Sequence, residues 1–250
     1  MNIVILGSGN VASHLARAFT ENQIPVKQIF GRNEADLKAI SEELHIPYST
    51  GNLADADLYI ISVSDSSINE ISKKIEKKTA LVAHTSGSVL RSSLSGEYRK
   101  AVLYPLQTFS KSKKLAYSEI PFFIDAENKE DQKILENLAK KISKKVLFAD
   151  DKKRKYIHLT AVFACNFVNH LYARAKEISD SQKIPFDYFL PLIDETTRKI
   201  HTIEPKKAQT GPAVRNDEKV LENHKKLISD DEHLKIYETM NQSIKKMYEL

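Results

Sequence analysis

A glycine-rich segment near the N-terminus has the residue types and the spacing that bind a pyrophosphate. The apolar run from Ile3 to Leu6 is followed directly by Gly7, Ser8, Gly9, Asn10, Val11 and Ala12. Gly7 permits a tight turn off a strand, and Gly9 lets the backbone approach a pyrophosphate held at a helix N-terminus. Ala12 stands at the third glycine position, which this motif allows. The segment predicts a dinucleotide-binding strand-turn-helix unit, the alternative being a purely structural turn.

A second strand end carries residues that distinguish the two nicotinamide dinucleotides. Val26 to Phe30 predicts a strand, and Gly31, Arg32 and Asn33 follow it. At this place an acidic residue binds the free ribose hydroxyl of NAD, whereas an arginine accommodates the 2′-phosphate of NADP. Arg32 and Asn33 are therefore predicted ligands of the 2′-phosphate, and the absence of an acid at the strand end favours NADP. The alternative is an exposed arginine in a turn.

Hydroxyl, imidazole and amide groups follow three more predicted strands, which cover residues 57–63, 80–83 and 102–104. Ligands bind open α/β sheets at the carboxyl ends of parallel strands. We therefore interpret Ser64 as a cofactor ligand, and Ser86 and Gln107 as candidates for substrate binding. His84 is a catalytic candidate, with a structural role as an equal alternative.

The pattern changes after about residue 150. From Arg154 to Ile178 there is no Gly or Pro, and apolar residues occupy nearly every side, which predicts a long buried helix. Further helices are predicted at 187–200, 217–228 and 231–248. The sequence thus predicts two domains, a dinucleotide-binding domain at 1–151 with a parallel sheet between helices, and an all-helical domain at 152–250.

Polar side chains interrupt the apolar pattern of the long helix. Asn166, Asn169 and His170 are spaced to share one face, and buried polar groups need partners. This face predicts either a structural network or a substrate-binding surface, with Asn166 and His170 as catalytic candidates and Asn169 as a substrate ligand. A loop at 208–217 adds Gln209 and Arg215, and the arginine suits either an anionic substrate or a surface ion pair.

Composition excludes several classes of protein. Cys165 is the only cysteine of 250 residues, so an intramolecular disulfide and a cysteine-built zinc site are excluded, and we expect no metal. We find no leader segment and no apolar run near the ~18 residues of a membrane span, and expect a cytoplasmic protein. The net charge of +5 comes from lysines dispersed among acids. That pattern is typical of a solvated surface rather than a nucleic-acid interface.

Five separated motifs resemble one bacterial family: GSGNVA, HTSGS, YPLQTF, HLTAVFACNFVNHLY and AQTGPAVRND. Its members are Rossmann-like proteins described as NADP oxidoreductases similar to the deazaflavin-dependent type, with a helical C-terminal domain of unknown function. The chain resembles pyrroline-5-carboxylate reductase and the β-hydroxyacid dehydrogenases more distantly. The resemblance implies an α/β fold, with a doubly wound, mostly parallel Rossmann sheet followed by an all-α domain of the 6-phosphogluconate-dehydrogenase-like type. It also implies NADP as cofactor and a homodimer through the helical domain, and it leaves a second, deazaflavin cofactor open.

The distant resemblance also bears on the proton donor. In the β-hydroxyacid dehydrogenases a lysine on the central helix, followed by two asparagines at the third and fourth positions, acts on the substrate. Alignment puts Asn166 at the lysine position, with Asn169 and His170 at the asparagines. Because asparagine cannot exchange a proton, the donor would be His84, His158, His170 or a water molecule.

These features together predict an NADP(H)-dependent oxidoreductase that acts on a small carbonyl or imine compound bound between the two domains. An NADP-binding sensor or scaffold without turnover is the alternative. Nucleic-acid binding is a minor third hypothesis, which requires a single contiguous basic face.

Overall fold

Apolar segments of the N-terminal half form the strands of one sheet. They are β1 (Ile3–Leu6), β2 (Val26–Phe30), β3 (Tyr48–Ser49), β4 (Leu58–Ile61), β5 (Leu81–His84), β6 (Arg99–Pro105), β7 (Phe122–Ala126) and β8 (Val146–Phe148). The computed structural model describes all 250 residues and gives the order β3-β2-β1-β4-β5-β6-β7-β8. All neighbouring strands pair in parallel except β6 and β7, which are antiparallel. The predicted mostly parallel sheet is confirmed.

Helices cover both faces of this sheet, as a doubly wound fold requires. The helices α1 (Asn10–Glu21), α2 (Glu34–Leu44) and α4 (Lys129–Ala139) pack on one face, and α3 (Ile68–Ser72) packs on the other. Successive strand residues point to opposite faces, so the first layer contains Ile3 and Ile5, and the second contains Val4 and Leu6. Both layers are needed to bury strands that are apolar at every position.

Three details of the sheet differ from the sequence-based expectation. The strand β3 was not predicted, because two residues carry no periodic signal. The direction of β7 was not predicted either, because residue pattern alone does not fix it. The strand β5 runs one residue further than predicted and includes His84, which places that side chain inside the sheet layer rather than in the following loop.

A long helical segment follows β8 and begins at Asp150, whose side chain accepts a hydrogen bond from the Lys153 N–H. It consists of α5 (Asp151–Ala161), a π-helical turn (Val162–Phe167) and α6 (Val168–Ser181). The chain packs as two compact units, Met1–Asn166 and Phe167–Leu250, so the division falls within the π-helical turn. The predicted boundary after residue 151 stays a prediction.

The prediction that this long helix is buried is wrong. Of its side chains between residues 154 and 178 only Arg154 is buried, whereas Tyr156 is 63% exposed and Leu159 is 50% exposed. Asn166, Asn169 and His170 are exposed as well. The residue pattern shows that the helix is apolar on every side. It does not show whether other segments of the same chain pack against those sides and bury them.

The second unit is helical throughout. After α6 it contains α7 (Leu190–Lys199), the short α8 (Pro205–Ala208), α9 (Glu218–Leu227) and α10 (Asp231–Met247). The three predicted helices are confirmed within a few residues, and Asp217 caps α9 by accepting a hydrogen bond from the Val220 N–H at 3.2 Å. None of the helices combines the length and the apolar character that crossing a bilayer requires.

Candidate functional site

The turn after β1 depends on a glycine. Gly7 has φ +131°, a conformation that L side chains rarely adopt, and its N–H donates to the Phe30 carbonyl at 2.7 Å. A Cβ added at this position would lie 2.1 Å from the Ser62 carbonyl oxygen. The predicted tight turn is therefore confirmed, because the ends of β1 and β4 are too close here for any side chain.

The N-terminus of α1 is left open. Gly9 is its N-cap and provides no side-chain hydrogen bond, and the first turn contains no acidic residue. The first N–H groups of a helix have no partner within the helix, and with the macrodipole they favour an anion. A Cβ built on Gly9 meets nothing within 4 Å. The turn thus offers free donors beside open space, which fits a phosphate group.

A cavity of about 370 Å³ lies at this edge of the sheet, where β1, β2, β4 and β5 end. We call it the dinucleotide groove. All the residues that were predicted from the sequence to bind the cofactor line this groove: Gly7, Ser8, Gly9, Asn10, Val11, Arg32, Asn33 and Ser64. Ile71 and Thr85 also line it. The sequence missed them because an apolar helix residue and a hydroxyl next to a strand carry no specific signal.

The segment after β2 offers one free cation. Arg32 is exposed at this point and makes no hydrogen bond or ion pair within the protein. Asn33 is occupied locally, since its side chain caps α2 through the Asp36 N–H and donates to the Asp36 carboxylate at 2.9 Å. A smaller cavity of about 150 Å³ adjoins the groove at Arg32 and is also lined by Thr50 and Lys74. Two cations therefore border this small cavity, together with the hydroxyls of Thr50 and Ser67 and the carboxylate of Glu70.

A loop that follows β6 is hydrogen-bonded to α1 beside the groove. The side chain of Asn10 donates to the Phe109 carbonyl at 2.8 Å. His14 is buried, with Nε2 2.9 Å from the Ser110 carbonyl and Nδ1 2.9 Å from the Tyr117 hydroxyl. A ring with its proton on Nε2 satisfies both contacts. We call residues 106–118 the α1-bound loop. Gln107, its predicted substrate ligand, is exposed and accepts a hydrogen bond from the adjacent Thr108 N–H.

His84 is enclosed by the protein. Its side chain is 0% exposed, its Nδ1 accepts from the Ser86 N–H at 3.2 Å, and its Nε2 has no hydrogen-bond partner. Burial lowers the pKa of His84 to about 4, and the positive charge of the equally buried Arg154 adds to this shift. The geometry supports the structural alternative for His84, because an enclosed and uncharged ring cannot deliver a proton to a ligand.

The loop after β5 is ordered by its own hydroxyls. The Ser86 Oγ accepts hydrogen bonds from the N–H groups of Ser88 and Val89 at 3.1 Å and 3.0 Å. The Ser88 Oγ donates to the Asp65 carboxylate at 2.5 Å, which links this loop to the end of β4. Ser86, a predicted substrate ligand, is thus buried and used in the turn.

Tyr104 and His158 form a pair that the sequence did not predict. Their Oη and Nδ1 atoms are 3.1 Å apart, and the rings meet edge to face with centroids 6.1 Å apart. A Cβ added to Gly87 would lie 2.8 Å from both the His158 Nδ1 and the Tyr104 Cζ. The residues of the pair are 54 positions apart, so no local pattern could reveal it.

The helical unit places its candidate residues on its surface. The His170 Nε2 accepts from the Arg174 Nε at 3.4 Å, and the Gln209 side chain donates to the neighbouring Thr210 carbonyl at 2.9 Å. Asn169 and Arg215 are exposed and have no partner within the protein. Asn166, the last residue of the first unit, is exposed too. The substrate roles of these residues stay predictions.

Comparison with known proteins gives a family match for each half of the chain. The family model described as NADP oxidoreductase coenzyme F420-dependent matches residues 2–86, and the domain of unknown function DUF2520 matches residues 120–244. The chain is 40% identical to a proposed NADP oxidoreductase of Bacteroides fragilis, with 100% of this chain and 98% of that chain covered and a TM-score of 0.93. Comparison with curated proteins gives no match.

Two reductases share the fold at lower identity. A pyrroline-5-carboxylate reductase of Coxiella burnetii is 14% identical over 98% of each chain, with a TM-score of 0.58. An imine reductase of Myxococcus stipitatus in complex with NADP+ is 12% identical over 98% of this chain and 93% of that chain, with a TM-score of 0.64. At these identities the likeness concerns the fold alone.

Proposed function

Because the chain belongs to the family of NADP oxidoreductases that join a coenzyme F420-dependent domain to DUF2520, we propose that it is an NADP(H)-dependent reductase of a small carbonyl or imine compound. The observation that carries this proposal is the open N-terminus of α1 in the dinucleotide groove, with open space where a Gly9 side chain would be. The reductase folds of the distant relatives support the reaction class.

Different residues of the groove bind different parts of the cofactor. The free N–H groups at the start of α1 bind the pyrophosphate, and Gly9 lets it approach the backbone. Arg32 binds the 2′-phosphate, with Lys74 and Thr50 at the same small cavity. Ile71 offers an apolar surface to the cofactor, since it lines both the groove and the small cavity. The bound cofactor would supply a hydride, and the protein supplies orientation and a proton.

The Arg32→Glu variant tests the cofactor choice. With wild-type protein we expect NADPH to raise the melting temperature well above the value with NADH, because Arg32 pairs with a phosphate that NADH lacks. The variant puts a carboxylate beside that phosphate and should weaken NADPH binding about 100-fold, by loss of a charge-assisted hydrogen bond and by repulsion. Titration calorimetry with both dinucleotides measures this difference.

The matched control is Lys133→Glu, which makes the same charge change at an exposed position of α4 away from the groove residues. This control should keep the preference of the wild type for NADPH. Equal stabilisation of the wild type by NADPH and NADH would contradict the assignment of Arg32 to the 2′-phosphate.

A sensor or scaffold that binds NADP without turnover is the second candidate. It is favoured by Asn166 at the position where the β-hydroxyacid dehydrogenases carry a lysine, since asparagine does not exchange protons. A screen of oxo acids and cyclic imines for NADPH oxidation separates the two. Tight NADPH binding without oxidation by any of these compounds would favour the sensor.

We also propose that two copies of the chain associate through their helical regions. The support is the exposed apolar surface on these helices, where Tyr188 is 74% exposed and Leu192 is 65% exposed, besides Tyr156 and Leu159. Sedimentation should give twice the mass of the chain. The double variant Tyr156→Lys, Leu159→Lys should lower that mass to one chain, whereas a monomeric wild type contradicts the proposal.

A further inference from the structure

The Tyr104–His158 pair lies at the carboxyl end of β6, one strand beyond the last strand that contributes to the dinucleotide groove. The groove is lined as far as Thr85, and Gly87 follows two residues later in the same loop. The Gly87 backbone passes so close to the pair that an added Cβ would lie 2.8 Å from an atom of each ring. The loop after β5 therefore connects the groove directly to this pair.

The two side chains differ in their access to the surroundings. Tyr104 is 8% exposed, whereas His158 is only half buried, and its Nε2 makes no hydrogen bond within the protein. The Nδ1 faces the Tyr104 hydroxyl. One nitrogen of His158 is thus fixed by the protein, and the other is available to a ligand.

Burial keeps the tyrosine hydroxyl in its neutral form. Burial raises the pKa of Tyr104 to about 12, the positive charge of Arg154 opposes this shift, and Asp65 adds to it. A neutral hydroxyl can accept a hydrogen bond from the Nδ1–H of a protonated imidazole, or donate one to the Nδ1 of a neutral imidazole. In both states the contact holds the ring in place and leaves Nε2 without a partner within the protein.

The other histidines named as proton donors are less suited to the role. His84 is fully enclosed and uncharged near neutral pH. The Nε2 of His170 already accepts from Arg174. His158 is the one that combines a fixed nitrogen, a free nitrogen and a contact with the loop that leads out of the dinucleotide groove.

We propose that His158 is the proton donor of the reductase and that Tyr104 is the residue that positions it. The inference rests on the proposed function. In the reduction, the Nε2–H bond of protonated His158 breaks and its electron pair stays on the imidazole. The proton joins the substrate oxygen or nitrogen, which receives the π electrons of its C=O or C=N bond while a reduced nicotinamide supplies hydride to the carbon. Solvent then reprotonates His158.

Kinetics of two variants test the role of each residue. His158→Asn keeps a donor near the Tyr104 hydroxyl but removes the exchangeable proton, so kcat should fall about 100-fold or more, with the Kd of NADPH unchanged. Tyr104→Phe should lower kcat about tenfold with the KM of the substrate and the Kd of NADPH little changed, because the contact that orients the His158 ring is lost. Tyr48→Phe makes the same change on the edge strand β3, away from the pair, and as the control it should behave as the wild type.

Nitrogen NMR of the imidazole provides a readout that does not depend on turnover. In the protein without cofactor we expect the Nδ1 resonance of His158 at the position of a hydrogen-bonded nitrogen, because Nδ1 faces the Tyr104 hydroxyl. Tyr104→Phe should move this resonance to the position of a nitrogen without that bond. An unchanged Nδ1 resonance in Tyr104→Phe overturns the positioning role.

The outcomes separate this inference from the proposed function. If His158→Asn retains the activity of a wild type that reduces carbonyl or imine compounds, the inference fails and the proposed function stands. If the wild type binds NADPH but reduces none of these compounds, the proposed function fails and the donor role fails with it. The expected NMR result would then assign the pair a structural role only.

Discussion

Gly7→Ala should lower the free energy of unfolding by about 3 kcal/mol or more, whereas Gly9→Ala should leave it nearly unchanged. At Gly7 the backbone has φ +131° and the new Cβ would lie 2.1 Å from the Ser62 carbonyl oxygen. The ends of β1 and β4 would have to separate. At Gly9 the added methyl group meets nothing within 4 Å.

In Gly9→Ala the expected effect is on cofactor binding rather than on stability. Gly9→Ala places a methyl group where we propose that the pyrophosphate approaches the backbone, so the affinity for NADPH should fall about tenfold or more in a protein of normal stability. Urea unfolding measures the stability, and titration calorimetry measures the affinity. Gly51→Ala is the matched control, since its Cβ also meets nothing and Gly51 does not line the groove. A Gly9→Ala protein with unchanged affinity would contradict the pyrophosphate assignment.

Acid should destabilise the fold through His84, by roughly 3 kcal/mol between pH 6.5 and pH 4. Burial lowers the pKa of His84 to about 4 in the folded protein, from 6.5 in the unfolded chain. Between these values the unfolded chain binds the proton and the folded protein does not, so stability rises with pH. The contribution is complete above pH 6.5 and is lost as the pH falls towards 4.

The measurement is the slope of the unfolding free energy against pH, followed in urea. His84→Asn should remove most of this slope between pH 4 and pH 6.5, even though the variant is less stable throughout. His201→Asn serves as the control, because His201 is exposed and its replacement should leave the slope as it is. The same slope in wild type and His84→Asn would mean that other groups cause the acid sensitivity.

The parts of the site that the sequence predicted are those encoded by adjacent residues. The Gly7 turn could be predicted because its backbone conformation requires glycine. The position of Arg32 could be predicted because it follows a strand at a fixed distance from that turn. The pairing of Tyr104 with His158 is different. It depends on where α5 packs against the end of β6, which the local pattern of neither element specifies.

Two sequence interpretations were limited by the same lack of tertiary information. The residues after β2 suggested Asn33 as a phosphate ligand. Asn33 also caps α2 through Asp36 and lines the groove, so its role at the phosphate stays a prediction. The even apolar pattern of the long helix indicated burial, and the helix is largely exposed. That pattern was compatible with two environments, and the packing decided between them.

The fastening of the α1-bound loop to Asn10 and His14 limits how this protein can be re-engineered. Grafting the first strand, turn and helix from another dinucleotide-binding protein would transfer the glycines but remove the two side chains that hold Phe109 and Ser110. The loop would lose its anchors although none of its own residues had changed. A change of cofactor preference is therefore better sought at Arg32 and Lys74, which have no hydrogen bond or ion pair to break.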